Sequence, residues 1–279
     1  MTLAGIELVY LVKDIGEKTS GYYASNIWGI NRNSLLFKLH HPTKPDIMLM
    51  VSSIGMWITD KKIETIEPNK MLRRLRSDLL RAKLTKIEQI GTERIAYFTF
   101  TNFEKELTLI VEFFGDGNII LCNEERKILA LLHSIDVRHR QLRVGLEYTP
   151  PPEDGVDVLN LTKESFRELF STSGIGKTIG RGLGLPKKYV EEIIRLSGID
   201  PKKPSNEVTN EEFEALYEII TSTLSKVTQG PHDPSVIIED DVHDAYPIRF
   251  SDDNLNAKKV DSFNEGLDIV FTEEILEKG

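Results

Sequence analysis

The amino-acid sequence predicts an α+β fold in which an antiparallel β-rich domain precedes a helical domain. Before residue 150, short runs of β-branched, leucine and aromatic residues alternate with turn residues, as is typical of antiparallel strands. The three prolines at 150–152 fit neither a helix nor an interior strand, and beyond them apolar residues recur at helical spacing. Hydrophobic residues make up 40% of the 279 residues, which suffices for a core and excludes a wholly disordered chain.

The β-rich domain is predicted to span residues 1–155, with two sets of strands around one basic helix. It opens with an amphipathic helix at 3–18. The strand candidates are YYASNIWGI, LLFKLHH, IMLMVSS and MWITD in the first set, and TKIEQIG, RIAYFTFT, LTLIVEFF and NIILC in the second. Between the sets, Pro68 opens a helix whose leucines share one face and whose arginines lie largely off it. The turn Gly115–Asn118 is a strong hairpin signal.

A helical domain is predicted over residues 156–230 and an acidic tail over 231–279. Thr209 followed by Glu212 predicts a capping box at the start of one helix. In the tail we expect two short strands, VIIED and YPIRF, and a final helix that packs back on the first domain. The helical candidates before the tail are 162–170, 186–196 and 209–228.

The charge distribution leaves nucleic acid open as a partner, although the net charge is -9. Residues 229–279 hold 13 Asp and Glu against four Lys and Arg, which accounts for all of the negative balance. Residues 61–94 hold ten basic against five acidic side chains, and residues 166–203 hold eight against four. Because salt screens charges beyond about 8 Å, local patches decide which partners can bind.

The glycine-rich stretch at 173–184, SGIGKTIGRGLG, matches neither of two phosphate-loop motifs. The first glycine of a Walker A loop would fall at Ser171, and the third glycine of a dinucleotide fingerprint would fall at Ile179. We therefore predict a backbone turn between helices, whose exposed amides approach a phosphate closely.

No metal site, cofactor or membrane segment is predicted. The single cysteine, Cys122, rules out a disulfide framework or a cysteine-built zinc site within the chain and fits a reducing cytoplasm. The six histidines show no metal-ligand spacing. The longest apolar run, 47–58, is interrupted and falls short of the roughly 20 residues that span a bilayer. The first ten residues lack a basic leader, so we expect no signal peptide.

Residues 182–204, GLGLPKKYVEEIIRLSGIDPKKP, resemble the helix-two-turns-helix element of the formamidopyrimidine-DNA glycosylases. In those enzymes the element grips a nucleic-acid backbone, so the resemblance implies a glycosylase-like fold for both domains. The catalytic Pro-Glu N-terminus of the enzymes is replaced by Met1-Thr2-Leu3, and one cysteine cannot supply their four-cysteine zinc finger. We therefore expect the fold without the catalysis.

A second resemblance covers nearly the whole chain. The segments AGIELVYLVKDI, MLRRLRSDLLRAKLTKIEQIGTERI, GDGNIIL, LRVGLEYTPPP and DSFNEGLDIVF, in this order, resemble the N-terminal domain of the NFACT family, also labelled fibronectin-binding protein A-like. The resemblance implies a non-catalytic RNA-binding module of a ribosome-associated quality control factor, which recognises tRNA on the stalled large ribosomal subunit. It also implies that relatives continue into a coiled coil and a further RNA-binding module.

The resemblance assigns tRNA binding to Glu7 and to Glu93-Arg94, where the family commonly has aspartate in place of each glutamate. The other candidate RNA-binding residues are basic side chains, which pair with phosphate, and glycines. We expect all of them to converge on one face. They are Arg73, Arg74, Arg76, Lys83, Arg138, Arg140, Arg143, Gly176, Lys177, Arg181, Gly184, Lys187 and Lys188.

Several alternatives remain open at this point. The arginines of the basic helix would also suit an ordinary solvated face, and Glu7 beside Arg94 would also suit an internal ion pair. A base-excision enzyme would need an amine beside a carboxylic acid, but Lys13 and Glu7 are six residues apart on one helix and share a face poorly. A surface adhesion protein is opposed by the lack of an export signal.

Overall fold

The computed structural model describes residues 2–103, 105–153, 155–240 and 242–277, and it confirms the α+β class. The β-rich part comprises α1 (Gly5–Lys18), β1 (Tyr23–Asn31), β2 (Ser34–His40), β3 (Ile47–Ser52), β4 (Met56–Thr59), α2 (Lys70–Leu79), β5 (Lys83–Glu88), β6 (Ile95–Asn102), β7 (Lys105–Glu112), β8 (Asn118–Cys122), β9 (Ile128–Leu131), β10 (Ile135–Val137) and β11 (Arg140–Leu142). The remainder comprises α3 (Lys163–Arg167), α4 (Ile175–Leu183), α5 (Lys187–Ser197), α6 (Asn210–Gln229), β12 (Ser235–Glu239), β13 (Val242–Tyr246), β14 (Ala257–Lys259) and α7 (Phe263–Glu277).

Nine strands form one antiparallel sheet in the order β4-β3-β2-β1-β5-β6-β7-β8-β9. The two predicted sets of strands are two meanders, which join where Tyr23 of β1 pairs with Lys83 of β5. The meanders share one core, in which the rings of Phe37 and Phe100 stack with centroids 6.0 Å apart. The turn before β8 packs on the turn after β3, because a Cβ on Gly117 would lie 2.2 Å from Cβ of Ser53.

The basic helix α2 places three leucines, Leu72, Leu75 and Leu79, in the core and begins two residues later than Pro68 predicts. Asn69 is its N-cap, since its side-chain Oδ1 accepts a hydrogen bond from the Leu72 amide at 2.8 Å. An asparagine cap satisfies one of the free amides at a helix start, which a proline alone does not do.

The glycine-rich stretch is a helix, α4, and the prediction of a turn over 173–184 is wrong. Its glycines allow close packing: a Cβ on Gly182 would lie 2.8 Å from Cδ1 of Leu169, and one on Gly176 would lie 3.1 Å from Cβ of Pro201. In this stretch Gly184 alone has a left-handed backbone, with φ of 62°, and it ends the helix. The amides of α4 are therefore mostly engaged inside a helix.

The α6 helix opens with the predicted capping box, in which the Glu212 amide donates to Oγ1 of Thr209 and the Thr209 amide donates to Oε1 of Glu212. Around α6 lies a second core, built mostly from isoleucine, leucine and valine side chains. The rings of Phe166 and Phe213 stack there with centroids 5.4 Å apart.

The chain after residue 230 contacts the nine-stranded sheet through α7. Trp57 Nε1 donates to Thr272 Oγ1 at 2.9 Å, and the Asn264 side chain bonds the backbone of Ile58. The second strand of this region is β13, ending at Tyr246, rather than the predicted YPIRF. The Pro247 in that run lacks the amide that a strand interior requires. The strand β14 and the short strands β9 to β11 carry too few residues for a pattern, and the sequence did not predict them.

Candidate functional site

An open cleft of about 600 Å³ lies between the β-rich and helical parts of the chain. Three segments distant in the sequence line it: the loop 90–95 before β6, the proline-rich linker at 151–153 and 155–158, and the end of α4 at 181–184. The fold thus brings together members of two predicted patches. The predicted site residues that line the cleft are Glu93, Arg94, Arg181 and Gly184.

The first turn of α1 holds the cleft loop in place. The carbonyl of Thr92 approaches Gly5 so closely that a Cβ there would lie 1.9 Å from the oxygen. The side-chain amide of Gln89 donates to the carbonyls of Gly5, at 3.0 Å, and Glu93, at 2.7 Å. The backbone of the Glu93-Arg94 segment is therefore fixed against α1.

The carboxylate of Glu93 has an unsatisfied acceptor. Its Oε2 is buried and has no hydrogen-bond partner among the described residues. Burial, reinforced by the negative charge of Glu153, raises the pKa of Glu93 above its usual value. A buried oxygen without a donor is costly to folding, and a ligand N–H or O–H that reached it would offset this cost.

The two arginines of the cleft are exposed, and within the described ranges neither forms an ion pair or a side-chain hydrogen bond. Arg94 and Arg181 are thus free to contact phosphate. The cleft is not uniformly basic, because Glu153 and Asp157 also line it. Such a mixture suits a ligand that offers both phosphate oxygens and hydrogen-bond donors.

Glu7 lies outside the cleft, buried at 2% exposure. Its Oε1 accepts from the Ala4 amide at 2.9 Å, and its Oε2 accepts from the Tyr189 hydroxyl at 2.6 Å. The Lys188 ammonium lies 2.9 Å from Oε2. The internal ion pair considered for Glu7 therefore exists, but its partner is Lys188 of α5 and not Arg94.

Lys188, which the sequence analysis predicted to bind RNA, is largely buried. Besides Glu7, it lies 3.4 Å from a carboxylate oxygen of Asp244 and donates to the Ala245 carbonyl at 3.1 Å. Burial alone would lower the pKa of Lys188, but Glu7 and Asp244 outweigh it and raise the pKa. The lysine stays charged and joins α1, α5 and β13, so we remove it from the RNA-binding set together with Glu7.

Arg140 is also buried, so we remove it from the predicted RNA-binding residues. Its guanidinium bonds Glu112, whose Oε2 also accepts from the Tyr148 hydroxyl at 2.7 Å. It lies 5.7 Å from the ring centroid of Phe114, a residue of the cleft wall. Arg140 therefore packs against Phe114 in the wall of the cleft. Its neighbours Arg138 and Arg143 are exposed.

Among the remaining predicted residues, Arg76 and Lys83 line a separate depression, so they do not join the cleft residues in one pocket. Arg73 donates to the Pro68 carbonyl at 2.8 Å, Arg74 pairs with Asp78 at 2.6 Å, and Arg76 donates to the Ile27 carbonyl at 2.7 Å. Lys83 is the first residue of β5, at the end of the strand away from the cleft. Lys177 is exposed on α4, Gly176 packs on Pro201, and Lys187 lies 3.6 Å from Glu191.

Other chemistries find little support in the described part of the chain. No group of three or more His, Cys, Asp or Glu side chains is arranged there to hold a metal ion. Burial raises the pKa of the Cys122 thiol to about 12, so this thiol is a poor nucleophile. Among the helices described, none combines the length and apolarity needed to cross a bilayer.

Sequence reasoning missed Gly5, Gln89 and Glu153, which position the loop or shape the charge of the cleft. Of these three residues, Gly5 had a signal in the sequence, because in the segment AGIELVY a glycine opens a helix. Glycine is unfavourable in a helix by about 1 kcal/mol relative to alanine, so a close contact is the usual reason to find it there.

We expect Gly5→Ala to destabilise the protein by about 1–3 kcal/mol, because the added methyl group collides with the Thr92 carbonyl and pushes the cleft loop away. Thermal denaturation measures the loss. The matched control is Gly16→Ala on the same helix, where no atom lies within 4 Å of the added Cβ. That change should leave stability equal or raise it by about 0.5–1 kcal/mol. Equal melting temperatures for the two variants would contradict the close contact.

Comparison with known proteins identifies the family. A family model described as NFACT N-terminal and middle domains matches residues 5–278. The chain belongs to the NFACT family. This NFACT chain is 30% identical over 250 residues to the archaeal Rqc2 homolog aRqcH of Methanocaldococcus jannaschii, a match that covers 85% of the chain and 37% of the relative. It is 30% identical over 133 residues to ribosome quality control complex subunit 2 of Saccharomyces cerevisiae, covering 46% of the chain and 12% of the relative.

The NFACT fold recurs in solved structures of bacterial proteins. The fibrinogen binding protein from Staphylococcus aureus superposes with a TM-score of 0.79 at 19% identity, covering 96% of this chain and 98% of that one. The N-terminal part of the fibronectin/fibrinogen-binding protein from Streptococcus suis gives 0.75 at 20% identity, covering 98% and 100%. At this identity the likeness concerns the fold alone.

Proposed function

We propose that this NFACT chain is the tRNA-binding module of a ribosome quality control factor and that the cleft is where it contacts tRNA. The observation that carries the proposal is the convergence in one cleft of a buried carboxylate oxygen of Glu93 and two arginines, Arg94 and Arg181, none of which has a side-chain partner among the described residues. The two arginines come from the β-rich and helical parts, so a ligand in the cleft bridges both.

The chemistry of the three side chains favours folded RNA over a simple anion. The arginines supply charge-assisted hydrogen bonds to phosphates, which position a nucleic acid without reading its sequence. Glu93 repels phosphate, but a rotation of its side chain that brings the buried Oε2 into the cleft would let this oxygen accept a hydrogen bond from a ribose 2′-hydroxyl or a base amino group. The 2′-hydroxyl is the group that distinguishes RNA from DNA at a given site.

The relatives support the cellular role in this proposal. The yeast relative carries the name ribosome quality control complex subunit 2, and the archaeal one is named as its homologue. We infer from these names that the chain acts in ribosome quality control. We propose, as the sequence resemblance implies, that it does so on the large ribosomal subunit in the cytoplasm. Because the chain spans 37% and 12% of those two relatives, the activities of the whole proteins remain outside this assignment.

We propose further that the chain has no catalytic activity of its own. The base-excision alternative needs an amine free to attack beside a carboxylic acid. Of the two candidates on α1, Glu7 is committed to Lys188, Tyr189 and the Ala4 amide, and Lys13 is exposed. The described residues therefore hold no such pair on α1.

A titration with labelled tRNA and with labelled duplex DNA containing a damaged base, each at two salt concentrations, tests this function. We expect binding to tRNA whose affinity falls steeply with salt, weaker binding to the duplex, and no strand cleavage. Release of the damaged base would favour the glycosylase alternative. A lack of preference for tRNA over duplex DNA would contradict the proposal.

A further inference from the structure

A second surface lies at the opposite end of β6 from the cleft. Arg94 precedes β6 and Phe103 follows it, so the two surfaces are about 30 Å apart at roughly 3.3 Å per residue. An open depression of about 840 Å³ lies beside Phe103. We name it the aromatic-basic patch after the rings and cations that line it, which are Tyr23, Arg76, Arg81, Lys83 and Phe103.

Phe103 is unusual because its side chain contributes almost nothing to the core. The side chain is 97% exposed, and its backbone is left-handed, with φ of 53°. Burying a phenylalanine stabilises a protein, whereas a non-glycine residue with positive φ costs free energy. The positive φ of Phe103 therefore costs free energy, while its ring stays exposed to solvent and gains nothing from burial. Backbone strain of this kind concentrates at functional sites.

Arg81, which also lines the patch, repeats this pattern. Its φ is 73°, and its backbone is held there because the Arg81 amide donates to the Ala24 carbonyl at 2.8 Å. Its side chain is exposed and forms no ion pair within the described ranges. Two exposed side chains on backbone with positive φ thus line the same depression.

The rest of the patch is basic and aromatic. The Lys83 ammonium lies 6.0 Å from the ring centroid of Tyr23, which is 39% exposed, and Arg76 is fixed at the rim by its bond to the Ile27 carbonyl. The described lining residues include no aspartate or glutamate, and they add the polar side chains of Ser77, Thr85, Thr101 and Asn102. The local charge is therefore opposite to that of the chain as a whole.

We propose that the aromatic-basic patch binds a single-stranded segment of RNA, with phosphates at Arg81 and Lys83 and an unstacked base on the ring of Phe103. Cations along a groove with exposed aromatic rings are what single-stranded nucleic acid requires, since every base has a face that stacks. A duplex presents no free base face to such a ring. An acidic peptide would match the cations but would leave the fully exposed phenyl ring unused.

This inference is independent of the cleft, because it rests on different residues at the other end of the sheet. Binding of tRNA through the cleft can fail while the patch still binds single-stranded RNA. The reverse also holds, so two ligands and two sets of variants separate the proposals.

The test measures binding of a short, labelled oligouridine to the full chain at low salt by fluorescence anisotropy. Phe103→Ala should weaken binding about tenfold, and Phe103→Trp should preserve it, because a larger ring stacks at least as well. Arg81→Gly removes the charge and relieves the positive φ, so it should reduce the slope of the salt dependence by about 0.7 without loss of stability.

Two controls fix the interpretation. Leu196→Ala removes a half-exposed apolar side chain elsewhere, and Lys226→Ala removes an exposed lysine. Both should leave oligouridine affinity unchanged. The proposal is overturned if Phe103→Ala and Arg81→Gly bind oligouridine as the parent chain does, or if polyglutamate displaces the RNA as efficiently as unlabelled oligouridine.

Discussion

Lys188→Ala is expected to lower the free energy of unfolding by about 3–5 kcal/mol, which is the usual loss when one partner of a buried ion pair is removed. The Lys188 ammonium is the cation that faces both Glu7 and Asp244, and the side chain of Glu7 is 2% exposed. Without the lysine, two carboxylates remain buried beside each other. Urea denaturation followed by circular dichroism measures the difference.

The neighbouring residue provides a matched control for this prediction. Lys187 is exposed and forms only a surface pair with Glu191, so Lys187→Ala should change stability by less than about 1 kcal/mol. Glu7→Gln in the Lys188→Ala background should recover part of the loss, since it removes one of the stranded charges. Equal stability of the two lysine variants would show that Lys188 is not the buried counter-ion described here.

The pH dependence of the variant follows from Asp244. Burial raises the pKa of Asp244, although Lys188 opposes this effect. A carboxyl group with a raised pKa in the folded state favours folding at low pH, and that contribution is lost as the pH rises through the folded-state pKa. Removal of the opposing lysine enlarges the effect, so Lys188→Ala should be less destabilising at low pH than at neutral pH.

Arg94→Ala and Arg181→Ala should each weaken tRNA binding by about tenfold or more, as expected for loss of one charge-assisted contact to phosphate. Both arginines are exposed and unpaired within the described ranges, so stability should not change. Thermal denaturation checks this point. Arg249→Ala, which removes an exposed arginine outside the cleft, is the control and should bind tRNA like the parent chain.

The sequence predicted the fold class and the family because both depend on patterns that extend over many residues. Alternating apolar residues indicated the strands, and the capping residues of α6 indicated where that helix begins. The glycines of α4 were misleading, since glycine permits either a turn or a close helix contact, and its neighbours in space decide between them. In α4 those neighbours are Leu169 and Pro201, which the local sequence does not reveal.

The composition of the cleft was less predictable than the fold. Charged residues such as Glu7, Arg140 and Lys188 occur both in sites that bind a polyanion and in buried ion-pair networks. Only the packing of the folded chain shows which of the two they form. Lys188 meets Glu7 from more than 180 positions away along the chain, so no local pattern pairs them. Glu93, Arg94 and Arg181 are distinguished by the opposite feature, which is that Oε2 of Glu93 and the two guanidinium groups have no partner among the described residues.

The salt dependence of tRNA binding tests the central claim, that the cleft contacts tRNA, most directly. The logarithm of affinity is measured against the logarithm of salt concentration for the parent chain, for Arg94→Ala/Arg181→Ala and for Arg249→Ala. Loss of two phosphate contacts should lower the affinity of the double variant and reduce its slope by about two units, with the control unchanged. A double variant with the affinity and slope of the parent chain would contradict the assignment of the cleft.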